Sequence, residues 1–226
     1  MKIKFFICFL AVFVLSITSC KKDSEVNVFT GYSYYPTNPG HEIIYDVDSI
    51  YKDGFTGNTF TVKFQIKEVI ESIIADNEGR PTLRLERYKR STPNDPWVIY
   101  KVWTANIDLK SLERKEDNVT YIKLIFPPEN GAKWDGNKKN NLDEKFYEIT
   151  DVNEPDNING LSFDSTLTVL QNDEDLFISR SLEMERFAAG VGMYYKYQFN
   201  GDYKPNSNTE FTNFVEYSET IVSYQN

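Results

Sequence analysis

The chain has one histidine, His41, and two cysteines, Cys8 and Cys20. Scarcity of these residues excludes much chemistry. A Ser–His–Asp triad must use His41, which stands beside Gly40 in a polar segment with no nucleophile motif near it. No G-x-S-x-G elbow occurs anywhere. One histidine and no usable thiol leave zinc only carboxylates. His41 therefore reads as an exposed residue of an entry strand. No apolar run is long enough for a spanning helix of about 20 residues. Basic charge is also short: 25 Lys and Arg stand against 34 Asp and Glu, giving a net charge of −9. Such a chain does not bind a phosphate backbone by bulk charge, so no nucleic-acid partner is expected.

What is present begins at the N-terminus. Lys2 and Lys4 precede an apolar run to Leu15, and Ile17-Thr18-Ser19-Cys20 follows. A secretory leader ends in small residues before its cleavage site. Here they stand directly before a cysteine, which resembles the lipobox of bacterial lipoproteins. The reading is a signal peptide over 1–19, acylation at Cys20 and a tether over 20–40. Removal of the leader takes Cys8, Lys2 and Lys4 with it, so the mature chain has no disulfide and two more units of negative charge. An acidic chain is repelled by anionic lipid, so contact with the membrane is expected through the acyl anchor. Lys21-Lys22-Asp23-Ser24-Glu25 resembles the surface-export signal of Bacteroidota lipoproteins. The expected location is the outer membrane, on its periplasmic or its cell-surface face.

Residues 41–226 read as one mostly β domain. Pro36-Thr37-Asn38-Pro39-Gly40 punctuates its start. Phe60, Val62, Phe64 and Ile66 alternate with Thr61, Lys63, Gln65 and Lys67, which predicts a strand with the first set buried. Leu83 and Leu85, Trp97 to Trp103, and Val119 to Phe126 continue as strands. Asp76-Asn77-Glu78-Gly79, Thr92 to Pro96 and Glu116-Asp117-Asn118 are turns between them. Glu129 to Asn141 and Asp151 to Gly160 read as polar loops around a short strand, Lys145 to Thr150. Phe163 to Leu170 alternates again. Leu176 to Ala189 is the helix candidate, broken by Gly190-Val191-Gly192, a pair suited to positive φ or a close backbone approach. Met193 to Phe199 and Phe211 to Tyr224 close the domain. The expected class is α+β, mainly β: a curved antiparallel sheet, half-open barrel or sandwich-like, with one short helix at 176–189 in the C-terminal third.

Three segments together carry a resemblance. They are Tyr34-Tyr35-Pro36 with Gly40 and Tyr45, Phe163-Asp164-Ser165-Thr166 with Thr168-Val169, and Glu185-Arg186-Phe187-Ala188-Ala189-Gly190-Val191-Gly192-Met193-Tyr194-Tyr195. As a set they resemble an uncharacterised family of Bacteroidota lipoproteins, itself distantly similar to LolA-like half-barrels that can shelter an acyl chain. The family has no established activity, so the resemblance implies a fold and an address only.

Function is read by class. No pair among the 34 acids is singled out as catalytic, so no enzyme and no cofactor is expected. Asp151 to Asn157 and Asn172 to Asp175 are rich in oxygen ligands but lack the EF-hand order, leaving calcium or plain solvated turns. Three Trp, fifteen Tyr and sixteen Phe are the most suggestive feature. They either fill the core or line a ligand surface. Trp134, inside a Gly/Asn-rich loop, is the candidate ligand contact. The expected role is a membrane-anchored envelope lipoprotein with a non-enzymatic binding or structural function. The alternatives are a lipid- or apolar-ligand-binding half-barrel and a surface glycan-binding accessory lipoprotein. A sheltered apolar pocket favours the former, an exposed aromatic row the latter.

Overall fold

The computed structural model describes residues 29–226, so the leader, Cys20 and the first part of the tether lie outside the described residues. Twelve antiparallel strands follow one another: β1 (Glu42–Lys52), β2 (Thr59–Ala75), β3 (Pro81–Arg90), β4 (Val98–Ile107), β5 (Ser111–Glu116), β6 (Val119–Ile125), β7 (Lys133–Asp135), β8 (Phe146–Ile158), β9 (Leu161–Asp175), β10 (Ser179–Ala188), β11 (Gly192–Tyr203) and β12 (Phe211–Gln225). They form one sheet in the order β6-β5-β4-β3-β2-β1-β12-β11-β10-β9-β8-β7. Two six-stranded meanders thus join through the first and last strands, which pair from Glu42↔Gln225 to Lys52↔Phe214.

The sheet curls into a nearly closed barrel whose seam lies in mid-chain. There the Ile122 N–H donates to the Gly136 carbonyl at 2.9 Å, and the Trp134 indole N–H donates to the Ile122 carbonyl at 2.8 Å. Closure of this kind removes most of the unpaired edge that an open sheet would expose.

The expectation of a mainly β domain holds, and that of a helix at 176–189 does not. Those residues form the β9–β10 hairpin and β10, and the helical content among the described residues is a 3-10 turn at Tyr32–Tyr34. The reason lies in the faces of β10. Its lumen side carries Glu185 and Phe187, while Leu182 and Met184 point the other way, so no apolar period of two is legible. Asp151 to Gly160 is likewise not a loop but mostly the second half of β8, with positive φ at Asp151 and Asn153 and shifted register against β9.

The folded body also takes in part of the expected tether. Tyr34 and Tyr35 are buried, Tyr34 with its hydroxyl 2.8 Å from Ser165 Oγ, and they plug the end of the barrel where the chain enters. Gly190 (φ 76°) and Gly192 (φ 99°) shape this plug. Gly190 donates its N–H to the Ser33 carbonyl at 2.7 Å, and a Cβ on Gly192 would lie 3.3 Å from Pro36 Cδ. His41 is here too, and it is not exposed. It is buried, with Nε2 2.8 Å from the Val191 carbonyl and Nδ1 2.9 Å from Asn226 Oδ1.

Candidate functional site

The lumen is layered. Next to the plug it is apolar, filled by Ile43, Ile70, Leu85, Leu112, Leu167 and Phe187 with their neighbours. The cavity left there, between Tyr35, His41, Glu68, Arg114 and Val191, measures about 20 Å3, enough for a single water. No acyl chain fits it.

Above this layer runs a belt of paired charges. Arg87 Nη2 donates to Glu219 Oε2 at 2.6 Å, and Arg87 Nε lies 3.2 Å from Glu68. Arg114 pairs with Glu68 and, through Nε at 3.2 Å, with Glu116. Lys123 bridges Glu116 at 3.6 Å and Glu185 at 2.6 Å, and Lys196 approaches Glu185 at 3.8 Å. Lys196 also stands opposite Glu219 in the β11–β12 register, which brings the belt back to its start. The Trp103 ring lies 4.3 Å from the Arg87 guanidinium and 4.9 Å from that of Arg114. Four acids and four bases from seven strands thus cross the lumen as a neutral ring.

Every member with a perturbed titration is held in its charged form. Burial pushes the Glu116 carboxyl up, but Lys123 and Arg114 outweigh burial and hold it well below the usual carboxylate range. Burial likewise opposes ionisation of Glu219, and Arg87 with Lys196 overcomes it. For Lys123 burial acts downward, and Glu116 and Glu185 raise the ammonium above its usual value. The belt balances in charge, although Arg87 Nε, Arg114 Nε and Glu185 Oε2 are buried without a hydrogen-bond partner.

Beyond the belt the barrel opens. Residues directly opposed on neighbouring strands share a face. From buried Val47 the lumen face of β1 continues through Ser49 to Tyr51. Its partners are Phe64, Val62 and Phe60 on β2 and Glu219, Tyr217 and Val215 on β12. Of the four side chains expected to be buried on β2, only Ile66 is fully so and Phe64 is half-buried. Phe60 and Val62 are correctly placed on the lumen face but stand 54 % and 56 % exposed, because the walls opposite them end or turn polar. Gln198 and Asn200 on β11 and Ser181 and Glu183 on β10 face this apolar wall. Lys89, opposite Ile66 and Val98, projects into the mouth with its ammonium 3.7 Å from the centre of the Phe64 ring and 5.5 Å from that of Tyr100. A recess of about 440 Å3, bounded by Lys89, Ser91, Asp95, Pro96, Val98 and Tyr100 among others, lies along this side. That volume is within the range of small-molecule sites.

Two outer features compare with it. A groove of about 470 Å3 lies between the β2–β3 turn and the outer face of β4–β6. Arg80 is engaged with Asp76 at 2.8 Å and with Glu113 at 3.3 Å, while Lys115 on the same groove has no carboxylate within 4.0 Å among the described residues. The outer face of β11 and β12 carries a row of half-buried rings, with Tyr195 and Tyr197 stacked at 6.4 Å and Phe199 and Tyr203 each 4.8 Å from Phe211.

Trp134 belongs to none of these surfaces. It is buried on β7, edge-on to Tyr147 at 5.8 Å, with its N–H spent on the seam. Its side chain is turned inward, with 9 % exposure, although the sequence placed it in an open loop. Asp151 to Asn157 and Asn172 to Asp175 are strand residues. Among the described residues no three His, Cys, Asp or Glu side chains are grouped to hold a metal ion. Sequence reasoning placed Phe64 and Tyr100 on strands but gave neither them nor Lys89 a part in a site. Their only signal is an aromatic strand beside a basic one, and which charges stay unpaired is settled by the fold. No family model matches the chain, and neither a curated protein nor a solved structure is significantly similar to it.

Proposed function

We propose that this chain is an envelope lipoprotein, anchored in the outer membrane through Cys20, that binds a small ligand at the open mouth of its barrel and catalyses no reaction. One observation carries the binding site. Lumen-facing side chains of β1, β2 and β12, namely Tyr51 (46 %), Phe60 (54 %), Val62 (56 %) and Val215 (49 %), are left exposed together. Contiguous exposed apolar surface on a concave wall is characteristic of ligand grooves. The filled lower lumen argues against a ligand sealed inside, so this is a shallow, open variant of the half-barrel reading. The chain enters at the plugged end, and the mouth therefore opens on the opposite side.

The row Tyr195, Tyr197, Phe199 and Phe211 favours a second reading, a glycan-binding surface on the outer wall. A neutral apolar fluorophore, N-phenyl-1-naphthylamine, separates the two. It should bind the mature chain and lose its signal enhancement with Val62→Asp, while Tyr197→Ala leaves it unchanged. Absence of binding, or binding indifferent to Val62→Asp, overturns the mouth as the site.

A further inference from the structure

Resting on the mouth as the binding site, we infer that its ligand is a single-chain amphiphile with an anionic head, and that Lys89 receives that head.

The argument is one of unmatched charge. The mouth, its floor and the adjoining recess hold four cations on β3 and β4. Arg87 is committed to Glu219 and Glu68, Lys101 to Asp117, and Arg90, which has no carboxylate partner either, donates to the Gln65 amide oxygen at 2.7 Å and lies 4.1 Å from the Trp97 ring. Lys89 has no carboxylate within 4.0 Å among the described residues, and its nearest partners are the faces of Phe64 and Tyr100. Asp95, which bounds the same recess, is occupied by the Thr92 N–H at 2.8 Å and the Thr92 hydroxyl at 2.9 Å. A half-buried ammonium that only aromatic rings stabilise gains a charge-assisted hydrogen bond from an arriving anion. It is also held in place by those rings, so little side-chain freedom is lost on binding.

The apolar wall fixes the rest of the ligand. From Phe64, beneath the ammonium, the lumen face of β2 runs through Val62 to Phe60, four residues or about 13 Å. Tyr51 and Val215 flank the rim. An anionic head at Lys89 places a hydrocarbon tail along this strip, pointing outward to the rim. The opposite wall, with Gln198, Asn200 and Ser181, is polar and offers the tail nothing, so a second chain has no seat. An anionic bilayer surface is the other source of such heads. The net charge of −9 opposes docking on one, and a monomeric amphiphile is favoured.

The experiment uses residues 20–226 with Cys20→Ser, produced without the leader, so that neither acyl chains nor an uncleaved leader compete. Dodecanoate, dodecanol and vesicles containing phosphatidylglycerol are titrated against it, each below its own aggregation limit where one exists. Dodecanoate should bind about tenfold more tightly than dodecanol. Lys89→Met should abolish that preference while dodecanol binding persists, and Lys89→Arg should keep it. Unchanged thermal unfolding of both variants separates loss of the head contact from loss of fold. Equal binding of the two amphiphiles, or a preference surviving Lys89→Met, overturns the anionic head and leaves the mouth intact. Failure of both to bind overturns the mouth itself. Binding to vesicles but not to monomeric dodecanoate also overturns the proposal, in favour of a membrane-docking surface.

Discussion

Arg87 on β3 reaches Glu219 on β12 at 2.6 Å, although two strands, β2 and β1, stand between theirs in the sheet. The bond therefore crosses the lumen and does not follow the wall. Both side chains are almost fully buried. Taking one partner from a buried pair leaves an uncompensated charge, at a cost of about 3–5 kcal/mol. Glu219→Leu should lower stability by that amount in urea unfolding. The double variant Arg87→Met, Glu219→Leu should cost less than the sum of the two single changes.

The belt also fixes how stability depends on pH. Glu116 and Glu219 have depressed folded values, so their contribution is complete above the unfolded carboxyl value of about 4.3 and is lost as pH falls toward the folded one. Lys123 is raised, so its contribution is complete below the unfolded value of about 10.4 and is lost as pH rises further. Stability measured by denaturant midpoint should form a plateau from about pH 5 to 10 and fall on both sides. The tyrosines report the alkaline limb. Burial pushes Tyr197 up to about 12, and raises Tyr35, Tyr45 and Tyr147 further. Absorbance at alkaline pH should show these buried tyrosines ionising only together with unfolding.

Trp134→Ala should cost about 3–5 kcal/mol, as for large aromatics removed from a core. It should not change ligand affinity at the mouth. Loss of ligand binding without loss of stability would restore Trp134 as a contact residue. Trp134→Phe keeps the packing against Tyr147 but gives up the indole N–H that holds the Ile122 carbonyl, and should open the seam to faster amide exchange at Ile122.

The anchor has its own measurement. Mass spectrometry of the protein purified from membranes should find an N-terminal peptide beginning at Cys20 and carrying acyl chains. Cys20→Ala should abolish the modification and leave unprocessed chain. A mature terminus elsewhere, unacylated, would refute the anchor.

Much of the sheet was legible, because period-two alternation marks strands such as Phe60 to Ile66 regardless of where along the barrel they fall. How deeply each residue is buried was not legible, since that depends on whether another wall stands opposite. The belt was hidden for a related reason. Arg87, Arg114 and Glu185 occupy lumen positions, and a charged residue in an alternating run reads as outward-facing. His41 reads as exposed because its acceptor, the Val191 carbonyl, is 150 residues away. The same holds for Lys89. Its solitude is a property of where Asp95, Asp117 and Glu219 end up, and no local window contains all of them.

The pairing of β1 with β12 divides the chain for folding. Each meander, β1–β6 and β7–β12, is built wholly from neighbours in sequence, so its hairpins close over short loops. The contact that unites them joins residues near the two ends of the described chain, the most distant in the molecule, and is the slowest kind to form. Until it forms, both β1 and β12 are unpaired edges of half-sheets, the surfaces through which two chains could exchange halves. His41 and Asn226 lie within hydrogen-bonding distance, so the start of β1 and the last residue of the chain are already close. A circular permutant cut between β6 and β7, with Asn226 linked to Phe29, would turn that long-range pairing into one more hairpin-like neighbour. Every strand would then follow its partner in order, and the open seam of the wall would fall at the new termini.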